Sequence, residues 1–325
     1  MRIDAVIAWV DGADPAHRAA RTRLAGRSDD GGDIRFVQSG EIYVALASIL
    51  KHAPFVDRIN IVTDQQRPLH MDTFAREGLC APDRIALVDH DAIFAGLPAA
   101  RPTFSSRTIE AAIHRIPGLA EHFVYLNDDM SFTRLATPDD LFRTGVPRIA
   151  GTRMPFSDTR ALPKAKAALR RLTGRPDLRP SHIVAQETGA RLAGAESSFV
   201  RVQHRPHPLR KSTIEATLAA RPGLLERQVA HHFRDRTQYL PVALANHAEL
   251  AMGAEAEPPA SVAYLRAGRD FDATLARIAK GDTAFACVQG LESFPDAHRK
   301  AVFAVFLDTL GSHLPSPVRA EFTAV

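Results

Sequence analysis

Apolar residues run almost unbroken from Ile3 to Val10, with Asp4 as the one acid inside the run. A continuous stretch of that length suits a parallel strand covered on both faces. The period then changes. Ile42, Leu46, Ile49 and Leu50 recur at helical spacing between Glu41 and His52, and Pro54 stops the helix. Arg58–Thr63 is a short β-branched run and reads as a second strand, Ile85–Val88 as a third, Phe123–Leu126 as a fourth. Ile109, Ala112, Ile113 and Ile116 share one face of a helix over Ser106–Ile116, closed by Pro117-Gly118. Strands alternating with helices predict an α/β fold with a mostly parallel twisted sheet.

Beyond this the pattern becomes more helical. Thr137-Pro138-Asp139-Asp140 has the form of a helix start, with Thr137 as cap and Asp140 as the capping-box acid, which accounts for both aspartates without a metal. Ser212-Thr213-Ile214-Glu215 reads as a capping box for a helix reaching Ala220. Pro295–Leu310 predicts an amphipathic helix with Val302, Phe303, Phe306 and Leu310 inward and Gly311 as C-cap. Between these, Lys164–Pro180 gathers Lys164, Lys166, Arg170, Arg171, Arg175 and Arg179 among Pro and Gly. It reads as a solvated helix face and loop, with a linker, lid or acceptor-binding insertion as the other readings. The expected organisation is an α/β region over 1–160 and a basic, mainly helical region over 161–325 that completes the same site.

Composition narrows the class. With 325 residues, 45% hydrophobic and 24% charged, the chain is neither disordered nor a disulfide-stapled mini-protein. No stretch approaches the roughly 18 uncharged apolar residues of a membrane span. The start, Met1-Arg2-Ile3-Asp4, reads as a first strand and not as a signal peptide. Cys80 and Cys287 have no metal or redox spacing and read as buried thiols in a reducing cytoplasm. The expected location is therefore cytoplasmic, with peripheral membrane association left open. The net charge of +4, from 41 Lys+Arg against 37 Asp+Glu, suits an anionic partner without choosing one.

The positions of the charges say more than their sum. The four strands run into Asp11-Gly12, Asp64, Asp89-His90-Asp91 and Asn127-Asp128-Asp129. In a parallel sheet these ends share the edge where open α/β folds bind ligands. Converging carboxylates repel each other unless a cation lies between them, and Mg²⁺ on a pyrophosphate needs only one or two carboxylates. A single Asp at a strand end is explained by helix capping or turn geometry. Asn127-Asp128-Asp129 exceeds that need. The absence of G-x-G-x-x-G, P-loop and G-x-S-x-G sequences argues against a dinucleotide dehydrogenase, a P-loop NTPase and an α/β-hydrolase. The second region carries the opposite charge: two His, two Arg and a Lys between Gln203 and Lys211, then His231-His232-Phe233-Arg234. Neither pattern has zinc-site spacing. Both suit a phosphate, which Arg grips bidentately and beside which His moves protons. His231 alone reads as an incidental residue of a helix.

Ile3 to Pro15, with Trp9-Val10-Asp11-Gly12-Ala13-Asp14-Pro15, resembles the first signature block of the Stealth proteins, the capsular polysaccharide phosphotransferases and the lysosomal-enzyme N-acetylglucosamine-1-phosphotransferase. Ser39-Gly40-Glu41 through Thr63-Asp64-Gln65-Gln66 resembles the start of their second block. Thr103-Phe104-Ser105-Ser106 through Tyr125-Leu126-Asn127-Asp128-Asp129 resembles its end. His204-Arg205-Pro206-His207 through Phe233-Arg234 is similar to the third block, and Phe285-Ala286-Cys287-Val288-Gln289 through Phe322 to the fourth. The resemblance implies transfer of a sugar-1-phosphate from a nucleotide-sugar, a UDP-sugar such as UDP-GlcNAc, to a saccharide hydroxyl. The nucleoside monophosphate leaves, with Mg²⁺ or Mn²⁺ as cofactor and no nucleic acid as partner. The family's functional positions fall on Asp11, Asn127, Asp128, His204 and Arg234.

Taken together, catalysis is expected of Asp11, Asp128, His204 and Arg234, and metal binding of Asp128 and Asp129. Substrate contacts are expected of Trp9, Gly12, Arg35, Asp64, Asn127 and His207. His204 would take the acceptor proton or bind the phosphoryl group, with an Asp as the alternative base. The chain departs from the family at Val37-Gln38, Ala47, Ser105 and Gln289-Gly290, which bears on donor detail and on the fourth block's part in metal binding. Two other readings are a metal-dependent glycosyltransferase, which attacks carbon instead of phosphorus, and a non-enzymatic polyanion binder.

Overall fold

A computed structural model describes residues 1–25, 39–159, 181–268 and 270–325. Arg35, Val37, Gln38 and the basic Lys164–Pro180 stretch lie outside the described residues. The strands are β1 (Ile3–Ala8), β2 (Val56–Thr63), β3 (Ile85–Asp89), β4 (His122–Asn127) and β5 (Met130–Phe132). They continue with β6 (Phe142–Arg143), β7 (Val146–Pro147), β8 (Ile149–Pro155), β9 (Ser198–Val202) and β10 (His207–Arg210). The last are β11 (Ala256–Glu257), β12 (Val262–Leu265) and β13 (Phe285–Val288).

The main sheet has the order β10-β4-β1-β2-β3. β1 is parallel to β2 and β4, β2 is parallel to β3, and β10 is antiparallel on the edge. β1 is apolar along its length because both its faces are covered. Ile3, Ala5 and Ile7 belong to one buried core with Ile42 and Leu46 of the helix Glu41–His52 and with Phe303 and Phe306 of the helix Asp296–Leu310. Val6, pointing the other way, packs with Ala112, Phe123 and Val242. Asp4 is fully buried in the strand because its Oδ2 accepts the Ala120 N–H at 2.8 Å and Arg2 at 3.1 Å. The fold is a mixed α/β one with a helix-rich C-terminal part. That part also contributes strands: β10 joins β4, β9 joins β8, and β13 joins β5. Arg210 and Thr213 pin this junction by bonding the buried Glu249 carboxylate at 2.5–2.8 Å.

The helix Asp296–Leu310 buries the four residues its periodicity marked, Val302, Phe303, Phe306 and Leu310. Other local signals are overruled. Thr137 and Asp140 form their capping box around a single 3₁₀ turn, Pro138–Asp140, and the chain then enters the β6–β7 hairpin instead of a helix. Ser212 caps nothing; its hydroxyl and N–H bond Glu121, and the helix starts one residue earlier, at Lys211. The helix from Ser106 ends at Ala112 and tightens into a 3₁₀ turn at Ile113–Arg115. Gly311 stays right-handed (φ −52°) and leads into a further 3₁₀ turn, so it is no left-handed cap. His231 lies beyond its helix, Leu224–Val229. Cys80 is half-buried and not buried. No helix among the described residues is long and apolar enough to cross a membrane.

Candidate active site

β1 and β4 end side by side, Ala8 opposite Asn127. Asn127 is fixed by the Tyr125 hydroxyl, which donates to its Oδ1 at 2.9 Å. Asp128 and Asp129 make the turn from β4 into β5. Two neighbours then close on that turn. β10 runs antiparallel to β4, so the residues before it, including His204, pass the end of β4. β13 pairs with β5, Cys287 opposite Met130, and the Val288 N–H donates to the Asp129 carbonyl at 2.9 Å. His204 Nε2 therefore lies 3.1 Å from Asp129 Oδ2, and the Cys287 thiol donates to the same oxygen at 3.3 Å. Asp129 Oδ1 is buried without a hydrogen-bond partner. Burial opposes charge on His204, but the Asp129 hydrogen bond and charge, with Glu110 behind, hold its pKa above the usual imidazole value. Burial pushes the Cys287 thiol up, as do the Asp129 charge and hydrogen bond.

Arg234 reaches the same place from the other side. Its segment is fastened to residues 102–105: the Phe104 N–H donates to the His232 carbonyl at 2.6 Å, Phe104 and Phe233 stack at 5.2 Å, and His232 Nδ1 bonds the Pro102 carbonyl at 2.7 Å. Arg234 Nη2 donates to Ser106 Oγ at 2.9 Å. Beneath it lies Glu110, whose carboxyl is raised by burial and pulled back by Arg234. Arg107, on the same helix, is lowered to about 10 by burial and then by the Arg234 charge.

Two clefts meet here. The smaller, of about 440 Å³, follows the carboxyl edge of the sheet and is lined by Trp9, His17, Asp64, Asp128, Asp129 and Glu292 among others. The larger, of about 800 Å³, is lined by Arg107, His182, Arg201, His207, Tyr264 and Arg266 among others. Ser106, Asn127, His204, Arg234 and Gln289 line both. One cleft is thus largely acidic and the other largely basic, with His204 and Arg234 at their junction.

The expected residues divide accordingly. Asn127, Asp128, Asp129, His204 and Arg234 come together, with Trp9 and Asp64 in the smaller cleft and His207 in the larger. Asp64 is raised by burial and by Asp89. Asp11 and Gly12 line neither cleft. The Asp11 carboxylate accepts the Ala13 N–H at 2.8 Å, and the Gln66 side chain bonds the Asp11 backbone at 2.8 and 3.0 Å. Asp89 is a structural cap for Asp91 N–H and Gln65 N–H. Cys287 is buried, as its spacing suggested, and its thiol meets Asp129. Glu41 also belongs here: it is 8% exposed, lines the smaller cleft, and is raised to about 7 by burial and then by Asp128. An acid opening an otherwise apolar helix was its signal in the sequence.

The carboxylates fit the hard divalent ion that the resemblance implies. Asp128 faces the cleft, and Asp129 holds one oxygen in hydrogen bonds while the other is bare. Oxygen donors of this kind suit Mg²⁺ or Mn²⁺. Asp129, His204 and Cys287 separately form a cluster whose ligand-capable atoms lie within 4.8 Å of one another.

The sheet and its edge define the chain as an α/β protein with a cleft where its parallel strands end, its acids opposed by histidine and arginine. The model of Stealth protein conserved region 1 matches residues 1–29, and that of Stealth protein conserved region 2 matches residues 35–149. The receptor polysaccharide phosphotransferase WefC of Streptococcus oralis is 30% identical over 254 residues, covering 72% of this chain and 74% of the relative. The capsular polysaccharide phosphotransferase WcwK of Streptococcus pneumoniae gives the same figures. An exopolysaccharide phosphotransferase of Streptomyces coelicolor is 34% identical over 66% of this chain, but the match spans only 34% of that longer protein. Among solved structures, the galactosyltransferase LgtC aligns with 98% of this chain and 99% of its own at 14% identity and a TM-score of 0.44. The chain belongs to the Stealth family.

Proposed function

We propose that this protein transfers a sugar-1-phosphate from a nucleotide-sugar, a UDP-sugar, to a hydroxyl of a saccharide acceptor. A phosphodiester forms and the nucleoside monophosphate leaves. The observation that carries this reading is the meeting of Asp128 and Asp129 with His204 and Arg234 where the two clefts join. Family membership and the names of the streptococcal and Streptomyces relatives support it.

The donor lies in the smaller cleft, its pyrophosphate toward Asp128 and Asp129 and its base and ribose toward Trp9 and Asp64. Mg²⁺ or Mn²⁺ held by those two aspartates would offset the pyrophosphate charge. The saccharide enters the larger cleft and presents its hydroxyl to the sugar-bearing phosphorus. In-line displacement of this kind depends on positioning and charge neutralisation more than on covalent help. Arg234, steadied by Ser106, holds the phosphoryl oxygens as charge builds on them. His204 takes the acceptor proton at Nδ1, its Nε2–H donating to Asp129 Oδ2 at 3.1 Å, and the basicity that contact raises favours the transfer.

The test is a product analysis. The purified chain is incubated with a panel of UDP-sugars, saccharide acceptors and Mg²⁺ or Mn²⁺. The expected nucleotide product is UMP; release of UDP would mean glycosyl transfer and overturn the proposal.

A further inference from the structure

Cys287, His204 and Asp129 come from three separate segments, yet their side chains converge on one oxygen. Sγ and Nε2 lie 3.3 and 3.1 Å from Asp129 Oδ2, and all three ligand atoms are within 4.8 Å of one another. Around a tetrahedral Zn²⁺ with bonds of about 2.0–2.3 Å, such atoms stand roughly 3.3–3.6 Å apart. Two of the three edges are thus close to that spacing before any ion arrives. His204 and Asp129 both line the smaller cleft, so a fourth position opens toward it and can hold water. A thiolate, an imidazole and a single carboxylate suit a borderline or soft divalent ion. Mg²⁺ demands oxygen.

We propose that Asp129, His204 and Cys287 form a binding site for a thiophilic divalent transition-metal ion, Zn²⁺ above all. On binding, the Cys287 thiol gives its proton to solvent as the metal–sulfur bond forms, and the proton on His204 Nε2 moves to Nδ1, or to solvent from the imidazolium, as the metal–nitrogen bond forms. Bonds from Sγ and Nε2 to the ion replace their present contacts with Oδ2. The inference stands on this geometry and not on the phosphotransfer reading. Where both hold, they compete: an ion on Nε2 breaks the contact with Asp129 that makes the imidazole more basic. Asp129 is also drawn away from a Mg²⁺-bound donor.

The test uses the full chain carrying Cys80→Ser, which removes the other thiol, titrated anaerobically with Co²⁺. At one equivalent the expected spectrum has an intense thiolate-to-cobalt charge-transfer band in the near ultraviolet and tetrahedral d–d bands in the visible, both bleached by Zn²⁺. Cys287→Ala abolishes the charge-transfer band, and His204→Ala weakens Co²⁺ affinity at least about tenfold. A missing charge-transfer band, or one unchanged by Cys287→Ala, overturns the site. Zinc K-edge absorption of the unmutated chain at one equivalent is the second measurement. One sulfur at about 2.3 Å is expected, and a shell of nitrogen and oxygen alone refutes the assignment. Neither measurement reads turnover, so a negative UDP-sugar assay leaves this inference standing, and the reverse also holds.

Discussion

Both donors around Asp129 converge on Oδ2 and leave Oδ1 bare, while Asp128 faces the cleft beside it. One aspartate is therefore held by two donors, and its neighbour lines the cleft where the proposed donor would bring a cation. Arg234 is the matching cation across the junction, backed by Ser106 and by the buried Glu110. Removing one preorganised electrostatic contact of this kind costs about 10²–10³ in rate. Asp128→Asn and Arg234→Ala are accordingly expected to fold with near-parental melting temperatures and to lose at least about a hundredfold in kcat. Turnover within a few-fold of the parent in either variant would take that residue out of the mechanism. The place of Asp128 at the cleft was legible in the sequence because three polar residues after a buried strand exceed what a cap needs. Cys287 was not, because its partner Asp129 is 158 residues away and only the β5–β13 register joins them. The Asp11 carboxylate, in the first signature block, accepts a hydrogen bond in its own turn.

At the scale of elements, the helix Glu41–His52 places Glu41 under Asp128, and Gly40 sets how that helix begins. Gly40 has φ +92°, and a Cβ there would sit 2.7 Å from Phe322 Cε1 of the C-terminal helix. Phe322 is itself stacked on Phe303 at 4.4 Å, so the ring has little room to yield. Gly40→Ala meets both a backbone and a packing penalty and is expected to destabilise the fold by about 1–3 kcal/mol. Urea unfolding monitored by far-UV circular dichroism checks this; a midpoint equal to the parent's would show that the helix entry has slack. Periodicity revealed this helix end to end, from Glu41 to His52, and likewise the inward face of Asp296–Leu310. Both bury their apolar residues in one core, so local pattern and tertiary contact agree. The capping signals at Thr137 and Ser212 misled for the converse reason. A cap contributes about 1 kcal/mol, and the β6–β7 hairpin and Glu121 offered those segments competing partners.

Across the whole molecule, the modest excess of basic residues conceals a separation that the two clefts display, one dominated by carboxylates and the other by arginine and histidine. The histidines also set how the fold responds to acid. His90 and His114 are 4% and 5% exposed, and burial holds each near pKa 4; burial also drives His207 well below the usual value. These imidazoles remain neutral in the native state while their unfolded counterparts protonate near 6.5. Between about pH 6.5 and 4 these histidines bind more protons in the unfolded chain, so the stability they contribute is full above that window and falls as pH drops through it, while Glu41, raised to about 7, works the other way. Each such group adds a slope of up to about 1.4 kcal/mol per pH unit. His114 lies on the 3₁₀ turn after the Ser106–Ala112 helix, away from both clefts, so it can be changed without touching the proposed chemistry. His114→Gln removes one titrating group, and the urea-derived stability of the variant should decline less steeply from pH 6.5 to 4 than the parent's, by up to one proton's slope. Equal slopes would mean that His114 protonates alike in the folded and unfolded chains.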